Sequence, residues 1–347
     1  MKVTEKEIIP KVGITQGDIN GVSYEVIIKA LSDNRMLEIC TPIVYGSSKV
    51  ASYHRKLLNI GEFNLNLIRN ADQATLKRAN IINVFQEEAK IDIGESTLMA
   101  GALSLLSLEA CMHDYEKGLI NAIVTGPINK KNIQSKEFNF PGHTEYFARK
   151  FQSSNYLMLM CANKLRIGLI TTHNALKDVP SLITSELILK KVEIMNQSLK
   201  RDFAVPRPKI AVLSVNPHSG DDGLIGDEEK NVIIPAINKA IEQNLLVFGP
   251  FPADGFFGSG NWRNFDGVIA MYHDQGLLPF KILADKEGVN FTAGLPLVRT
   301  SPAHGTAFDI AGKDKASPDS MRQAIYLAAD IFKNRIEYDE LLANTLK

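Results

Sequence analysis

Only three of the 347 residues are cysteine, one is tryptophan, and aromatics make up 7%. Cys40, Cys111 and Cys161 sit in unrelated contexts and make no CxxC pair. That usage fits a reducing cytoplasm, with the thiols buried and inert. No stretch approaches 18 consecutive apolar residues, so no transmembrane helix is expected. The opening MKVTEKEIIPKVGITQGD lacks the charged, then apolar, then small pattern of a signal peptide. Basic and acidic side chains number 39 each. A nucleic-acid protein usually shows a basic excess or stripe, so the balance argues against that class. No GxGxxG follows the first apolar run, only Gly13, Gly17 and Gly21 at a spacing of four, and there is no GxxxxGK[ST] loop. A standard dinucleotide fingerprint and a P-loop are therefore absent, and any nicotinamide cofactor must bind by another route. There is no internal repeat and no low-complexity tract.

What is present is 45% hydrophobic and long enough for one large or two medium domains with a buried core. Residues 12–15, 42–45, 122–125, 166–171, 209–215 and 267–271 are short, rich in Ile and Val, and bounded by Gly, Asn or Pro. They read as buried strands. Residues 24–31, 47–58, 98–116, 184–200, 231–243 and 318–332 read as helices. In the last of these, Pro318 follows Ser317 as a start signal. Strands alternating with helices predict an α/β fold, its sheet mostly parallel and covered on both faces. The polar stretch 200–208 reads as a surface connection. We expect two domains with a cleft: 1–130 with 295–347 as one, and 131–294 as the other.

In open α/β sheets, ligands bind at the carboxyl ends of strands. Three of the seven histidines lie within three residues of such an end: His173, His218 and His273. If their strands share a sheet, the three imidazoles converge on one edge. Three neutral imidazoles with open positions make a catalytic site for a divalent ion such as Zn, Co, Ni or Fe. The alternative is three separate histidines that cap loops or hydrogen-bond a substrate. His54 and His113 fall inside expected helices and read as ordinary, while His304 lies in a loop that allows either role. Other loops carry functional residue types. Thr125 to Lys130 follows a strand, and His143, Thr144 and Glu145 come soon after. Asp221, Asp222 and Asp227 sit among Gly220, Gly223 and Gly226, a stretch that is equally a solvated acidic turn. Asp254 stands at the end of a further apolar run. Lys281, Asn290 and Arg299 lie downstream of His273.

Together TGPINK, FPGHTEYFA, THNALKDVP, NPHSGDDGLIGDEE, GPFPADGFF, GVIAMYHDQGLLPFK and VNFTAGLPLVRTSPAHGTAFDIAGK resemble the 4-hydroxythreonine-4-phosphate dehydrogenase family of pyridoxal phosphate biosynthesis. The resemblance spans about residues 12–329. It implies a fold like that of isocitrate and isopropylmalate dehydrogenases, two α/β domains with a central cleft, binding NAD or NADP without GxGxxG. It implies a homodimer with active sites at the subunit interface. His173, His218 and His273 match the family's metal ligands, drawn from both subunits. His143, Thr144, Lys281, Asn290 and Arg299 match its substrate contacts. Asp254 and Asp274 fall in motifs near the metal. The implied reaction oxidises the hydroxyl of 4-phosphooxy-threonine and releases CO2, giving 3-amino-2-oxopropyl phosphate. A divalent ion (Zn, Mg, Mn or Co) would supply Lewis acidity. Asp274, or Lys281 if the nearby metal cation depresses its pKa, would accept the hydroxyl proton, and cationic Lys281 and Arg299 would offset the phosphate charge.

One stretch departs from the resemblance. The family usually begins with a loop of the type GDPAGIGPE, whereas residues 17–25 read GDINGVSYE. A proline and a glycine near the start of the first helix are replaced by Tyr24 and Ser23. The departure keeps open the same chemistry on another hydroxy acid, such as a four-carbon sugar acid phosphate. A metal-binding relative without catalysis is the reading from a different class.

Overall fold

The computed structural model describes residues 8–345. The opening seven residues, part of the stretch where no signal peptide is expected, lie outside that range. The described residues form twelve strands. These are β1 Lys11–Thr15, β2 Thr41–Gly46, β3 Asn66–Ile68, β4 Asn80–Asn83, β5 Ala122–Thr125 and β6 Leu157–Ala162. They continue with β7 Leu165–Leu169, β8 Lys209–Leu213, β9 Leu246–Phe251, β10 Gly267–Ala270, β11 Val289–Ala293 and β12 Arg299–Pro302. The fold is α/β, as expected. Two compact units divide the chain: residues to Tyr146 with Leu297–Lys333, and Phe147–Pro296 with the residues from Asn334 onward.

In the first unit the strand order is β3-β4-β2-β1-β5-β12, and every pairing is parallel. Parallel strands are buried on both faces and so read as continuous apolar runs. β2 and β5 are buried at every position. The helix Leu98–Glu116 packs on β1, β2 and β5. Thr97 caps its start by accepting a hydrogen bond from the Ala100 amide. Gly101 lets this helix pass close over the loop that follows β5: a Cβ there would lie 2.0 Å from the Asn132 carbonyl oxygen.

In the second unit the order is β11-β6-β7-β10-β8-β9. β7, β10, β8 and β9 run parallel, while β6 runs antiparallel to both of its neighbours. The reversal has a local cause. Only Asn163 and Lys164 separate β6 from β7, too few for a crossover, and Asn163 takes the left-handed conformation at φ 50°.

The six expected strands all form, with ends differing by a few residues. The expected helix 231–243 instead opens with a π-helical turn, Glu229–Ile233, before Ile234–Glu242. The expected helix 318–332 runs on to Thr345, because no breaker follows Phe332 and ion pairs hold the extension. Arg201 binds Asp339 at 2.7 Å and Arg335 binds Asp202 at 2.6 Å. Two segments read as loops open helices, His143–Lys150 and His273–Ala284. The second contains Pro279, which normally signals a helix end. Among the described residues, no helix is long and apolar enough to cross a membrane. All three cysteines are buried and free, and burial pushes the thiols of Cys40 and Cys161 up to about 12.

Candidate active site

β7, β10, β8 and β9 are consecutive in the second unit and point the same way. Their carboxyl ends present, in that order, His173, then His273 with Asp274, then His218, then Asp254. Two side chains lock the first three ends together. Thr171 donates from Oγ1 to the Met271 carbonyl at 2.8 Å, joining the chain after β7 to the chain after β10. Gln275 donates to the Ser214 carbonyl at 2.6 Å and accepts from the Met271 amide at 2.7 Å, joining β10 to β8.

The rings of His173 and His273 stand 6.1 Å apart, tilted by 41°. His273 is the first residue of its helix, and its Nδ1 meets Asp274 Oδ1 at 2.7 Å. In a neutral imidazole this contact places the proton on Nδ1, facing the carboxylate, and leaves the lone pair on Nε2. This is the tautomer and orientation that second partners impose on metal-binding imidazoles. His218 lies exposed in a turn of unusual hand: His218, Ser219, Gly220, Asp221 and Asp222 all have φ between 45° and 78°. Left-handed backbone costs a residue with a Cβ about 1–2 kcal/mol. Among the described residues, no three His, Cys, Asp or Glu side chains are gathered to hold a metal ion. The donors present still fit one: two imidazoles close together, one of them fixed by a carboxylate. Asp254 is exposed on the helix Ala253–Gly258, and Lys281 is exposed on the helix His273–Ala284. Asn290, on β11, buries its Oδ1 without a hydrogen-bond partner among the described residues.

The first unit holds a different kind of site. Arg299, on β12, is 2% exposed and donates from Nε and Nη2 to Thr125 Oγ1 at 3.2 and 2.6 Å. Burial pushes its guanidinium down to about 9, with the Glu145 carboxylate opposing. It remains a cation at neutral pH. His143 is half-buried at the start of the helix His143–Lys150, and Thr144 follows it, buried. Burial, then the charges of Arg299 and Lys130, hold His143 well below the usual imidazole range. It is therefore neutral at pH 7. A buried cation beside a neutral imidazole and a hydroxyl is suited to a small anion.

The departed loop turns inward. Gln16, Asp18, Asn20, Ser23 and Tyr24 are all within 1% of full burial. Ser23 donates to the Gln16 carbonyl, and the Tyr24 hydroxyl donates to Gln16 Oε1 at 2.8 Å. Asn20 donates to the Glu95 carbonyl at 3.0 Å and to Thr97 Oγ1 at 3.1 Å. Asp18 accepts from Asn132 Nδ2 at 2.8 Å, and burial pushes its carboxyl up against that bond. His54, expected to be ordinary, donates from Nε2 to the Ile19 carbonyl at 2.9 Å and stacks on Tyr24. Burial pushes it down to about 4. His113 is exposed, and His304 bonds the neighbouring Gly305 carbonyl at 3.0 Å.

A family model described as pyridoxal phosphate biosynthetic protein PdxA matches residues 38–328. The chain belongs to the PdxA family. Among PdxA-like relatives, a protein of Bacteroides thetaiotaomicron named 4-hydroxythreonine-4-phosphate dehydrogenase is 52% identical over 338 residues, covering 97% of this chain and 93% of its own. A relative from Oceanobacillus iheyensis, provisionally named a D-threonate 4-phosphate dehydrogenase, is 36% identical, covering 93% of this chain and 98% of its own. The crystal structure of 4-hydroxythreonine-4-phosphate dehydrogenase from Klebsiella pneumoniae superposes with a TM-score of 0.80 at 35% identity, covering 93% of this chain and 99% of that one.

Within this PdxA fold, Thr171 and Gln275 are the residues that sequence reasoning passed over. Thr171 closes an apolar run two residues before His173, and Gln275 lies in the first turn of the helix that His273 opens. For Thr171 the available signal was position: a polar side chain at the end of a buried parallel strand needs a partner, and the neighbouring chain's carbonyl is the nearest.

Proposed function

We propose that this PdxA-family chain oxidises 4-phosphooxy-threonine with NAD or NADP and releases CO2, giving 3-amino-2-oxopropyl phosphate. The observation that carries the reading is the run of adjacent parallel strand ends bearing His173, His273 and His218, with Asp274 fixing the His273 tautomer. His173, His218 and His273, contributed by two copies of the chain in a homodimer, would hold a divalent ion such as Zn, Mg or Co. When bound, that ion supplies Lewis acidity to a hydroxyl and then to a ketone. The chain's own residues do the rest. Arg299 and Thr144 bind the phosphate, and neutral His143 completes the anion site without adding charge. Asn290 holds a buried acceptor that a donor on the substrate would satisfy; left unmet, such an atom costs about 1–3 kcal/mol. Lys281 adds a second cation for the substrate's anionic groups. Asp274 accepts the hydroxyl proton, or Lys281 does if it is the neutral amine instead of a cation, and Asp254, just after the end of the adjoining strand β9, orients the reacting end.

The name of the Oceanobacillus relative favours a second reading, the same chemistry on a four-carbon sugar acid phosphate. The altered loop lends it no support, since Ser23 and Tyr24 spend their polar groups on Gln16. Nicotinamide reduction should be measured with each substrate, before and after chelation, on the native chain and on His218→Ala. Turnover on 4-phosphooxy-threonine, lost on chelation and in the variant, is the expected result. Full activity after chelation sinks the metal reading, and turnover of the sugar acid phosphate alone sinks the substrate.

A further inference from the structure

We propose that Glu229 is a positioning residue for His218, the carboxylate around which the left-handed turn is wound. The inference rests on the reading of His218 as a metal ligand. Glu229 begins the π-helical turn before Ile234–Glu242 and is 3% exposed. Its Oε1 accepts from the backbone amides of Val215 and Asn216, both at 2.8 Å. Its Oε2 accepts from Asn216 Nδ2 at 2.9 Å. Two consecutive amides and one side-chain amide thus converge on one buried carboxylate immediately before His218. Such charge-assisted bonds are short and strong, and an ionised carboxylate uses them in place of water.

The same carboxylate shapes the turn beyond Asn216. A Cβ on Gly220 would come within 2.7 Å of Glu229 Oε2 and 2.8 Å of the Gly226 carbonyl, so the turn wraps directly over the acid. The Ile225 amide closes the wrap by donating to the Gly220 carbonyl at 3.0 Å, and Ser219 Oγ donates to the Pro250 carbonyl at 3.2 Å. Four residues with a Cβ hold left-handed dihedrals here: His218, Ser219, Asp221 and Asp222. L-residues take that conformation singly, not in series, unless the surroundings over-determine it. Glu229 is the buried group that does so from inside. Without it the turn relaxes toward right-handed backbone, and the His218 imidazole leaves its place. Glu229 touches no ligand; it acts through the backbone.

The test is cobalt(II) titration of the purified full-length protein by calorimetry, on the native chain, Glu229→Ala, His218→Ala and the double variant. Glu229→Ala is expected to weaken cobalt binding by roughly 10–100-fold, as loss of an outer support does at metal sites. In the His218→Ala background it should change nothing further, because neighbours that act as one unit are not additive. Glu229→Gln keeps the two backbone bonds and turns one acceptor into a donor facing Asn216. It should lose roughly 3–10-fold, as one hydrogen bond predicts, and it carries the test if the alanine variant does not fold. Native affinity in Glu229→Ala or Glu229→Gln, beside a weakened His218→Ala, overturns the inference alone. So does the same loss from Glu229→Ala with and without His218. Native affinity in His218→Ala overturns the metal reading itself, and the inference with it.

Discussion

Arg299 carries its charge where water barely reaches, with the Thr125 hydroxyl beside it and the Glu145 carboxylate as the opposing charge. A phosphate would restore what burial took away. Arg299→Ala should therefore raise KM for the phosphorylated substrate by roughly 10–100-fold, the worth of hydrogen bonds to a charged group, with kcat changing much less. Steady-state kinetics decide it, and an unchanged KM removes Arg299 from the substrate. Lysine should not rescue, since it lacks the planar fork. His54 makes a prediction of another kind. Its pKa is about 4 in the fold, against 6.5 for an ordinary imidazole. The unfolded chain therefore takes up the proton first as pH falls, so stability is full above pH 6.5 and is lost on the way down to 4. By pH 4.5 the native protein should lose roughly 2–3 kcal/mol more than His54→Gln. Denaturant melts at pH 7 and 4.5 show it, and parallel losses in the two proteins would refute it.

The strands were legible because a buried parallel strand is an unbroken run of Ile and Val, and six such runs are strands here. The placing of His173, His218 and His273 at adjacent strand ends was legible for the same reason, since a histidine at the end of such a run has one place to go. The rest was hidden by local exceptions. Pro279 disguised the helix that His273 opens. The Asn163 turn reversed β6 without any sign in its apolar pattern. The hand of the His218 turn is invisible in composition, because histidine, serine and aspartate rarely hold left-handed backbone in series, and it takes Glu229, at the start of the helical element that follows, to keep them there. Gly101 is the reverse case, a residue whose mid-helix position argues against itself. Alanine is the better helix former by about 1 kcal/mol. Against that, its methyl would strike the Asn132 carbonyl, and overpacking costs about 1–3 kcal/mol. Gly101→Ala should lower the melting temperature, and a more stable variant would show that the loop after β5 yields freely.

At the scale of the molecule, the α/β class was readable from short apolar runs alternating with stretches of period 3.6. The path of the last helix was not. Its residues to Lys333 cluster with the first unit and those from Asn334 with the second, a change of allegiance inside one unbroken helix that no local pattern marks. The proposed sharing of donors between two copies of the chain entails a definite stoichiometry. Light scattering should give twice the mass of one chain, and dilution below the dimer's dissociation constant should weaken cobalt binding in step. A monomer that binds cobalt as tightly would confine the ligands to a single copy.

The buried thiols offer a use that has nothing to do with catalysis. Cys40 and Cys111 belong to the first unit and Cys161 to the second, each sealed from solvent and each with its thiolate suppressed by burial. A maleimide can react only when the surrounding structure opens. Pulse labelling followed by peptide mass spectrometry then becomes a stopwatch with a separate hand for each unit, and it reads their openings on the native chain without a single engineered probe.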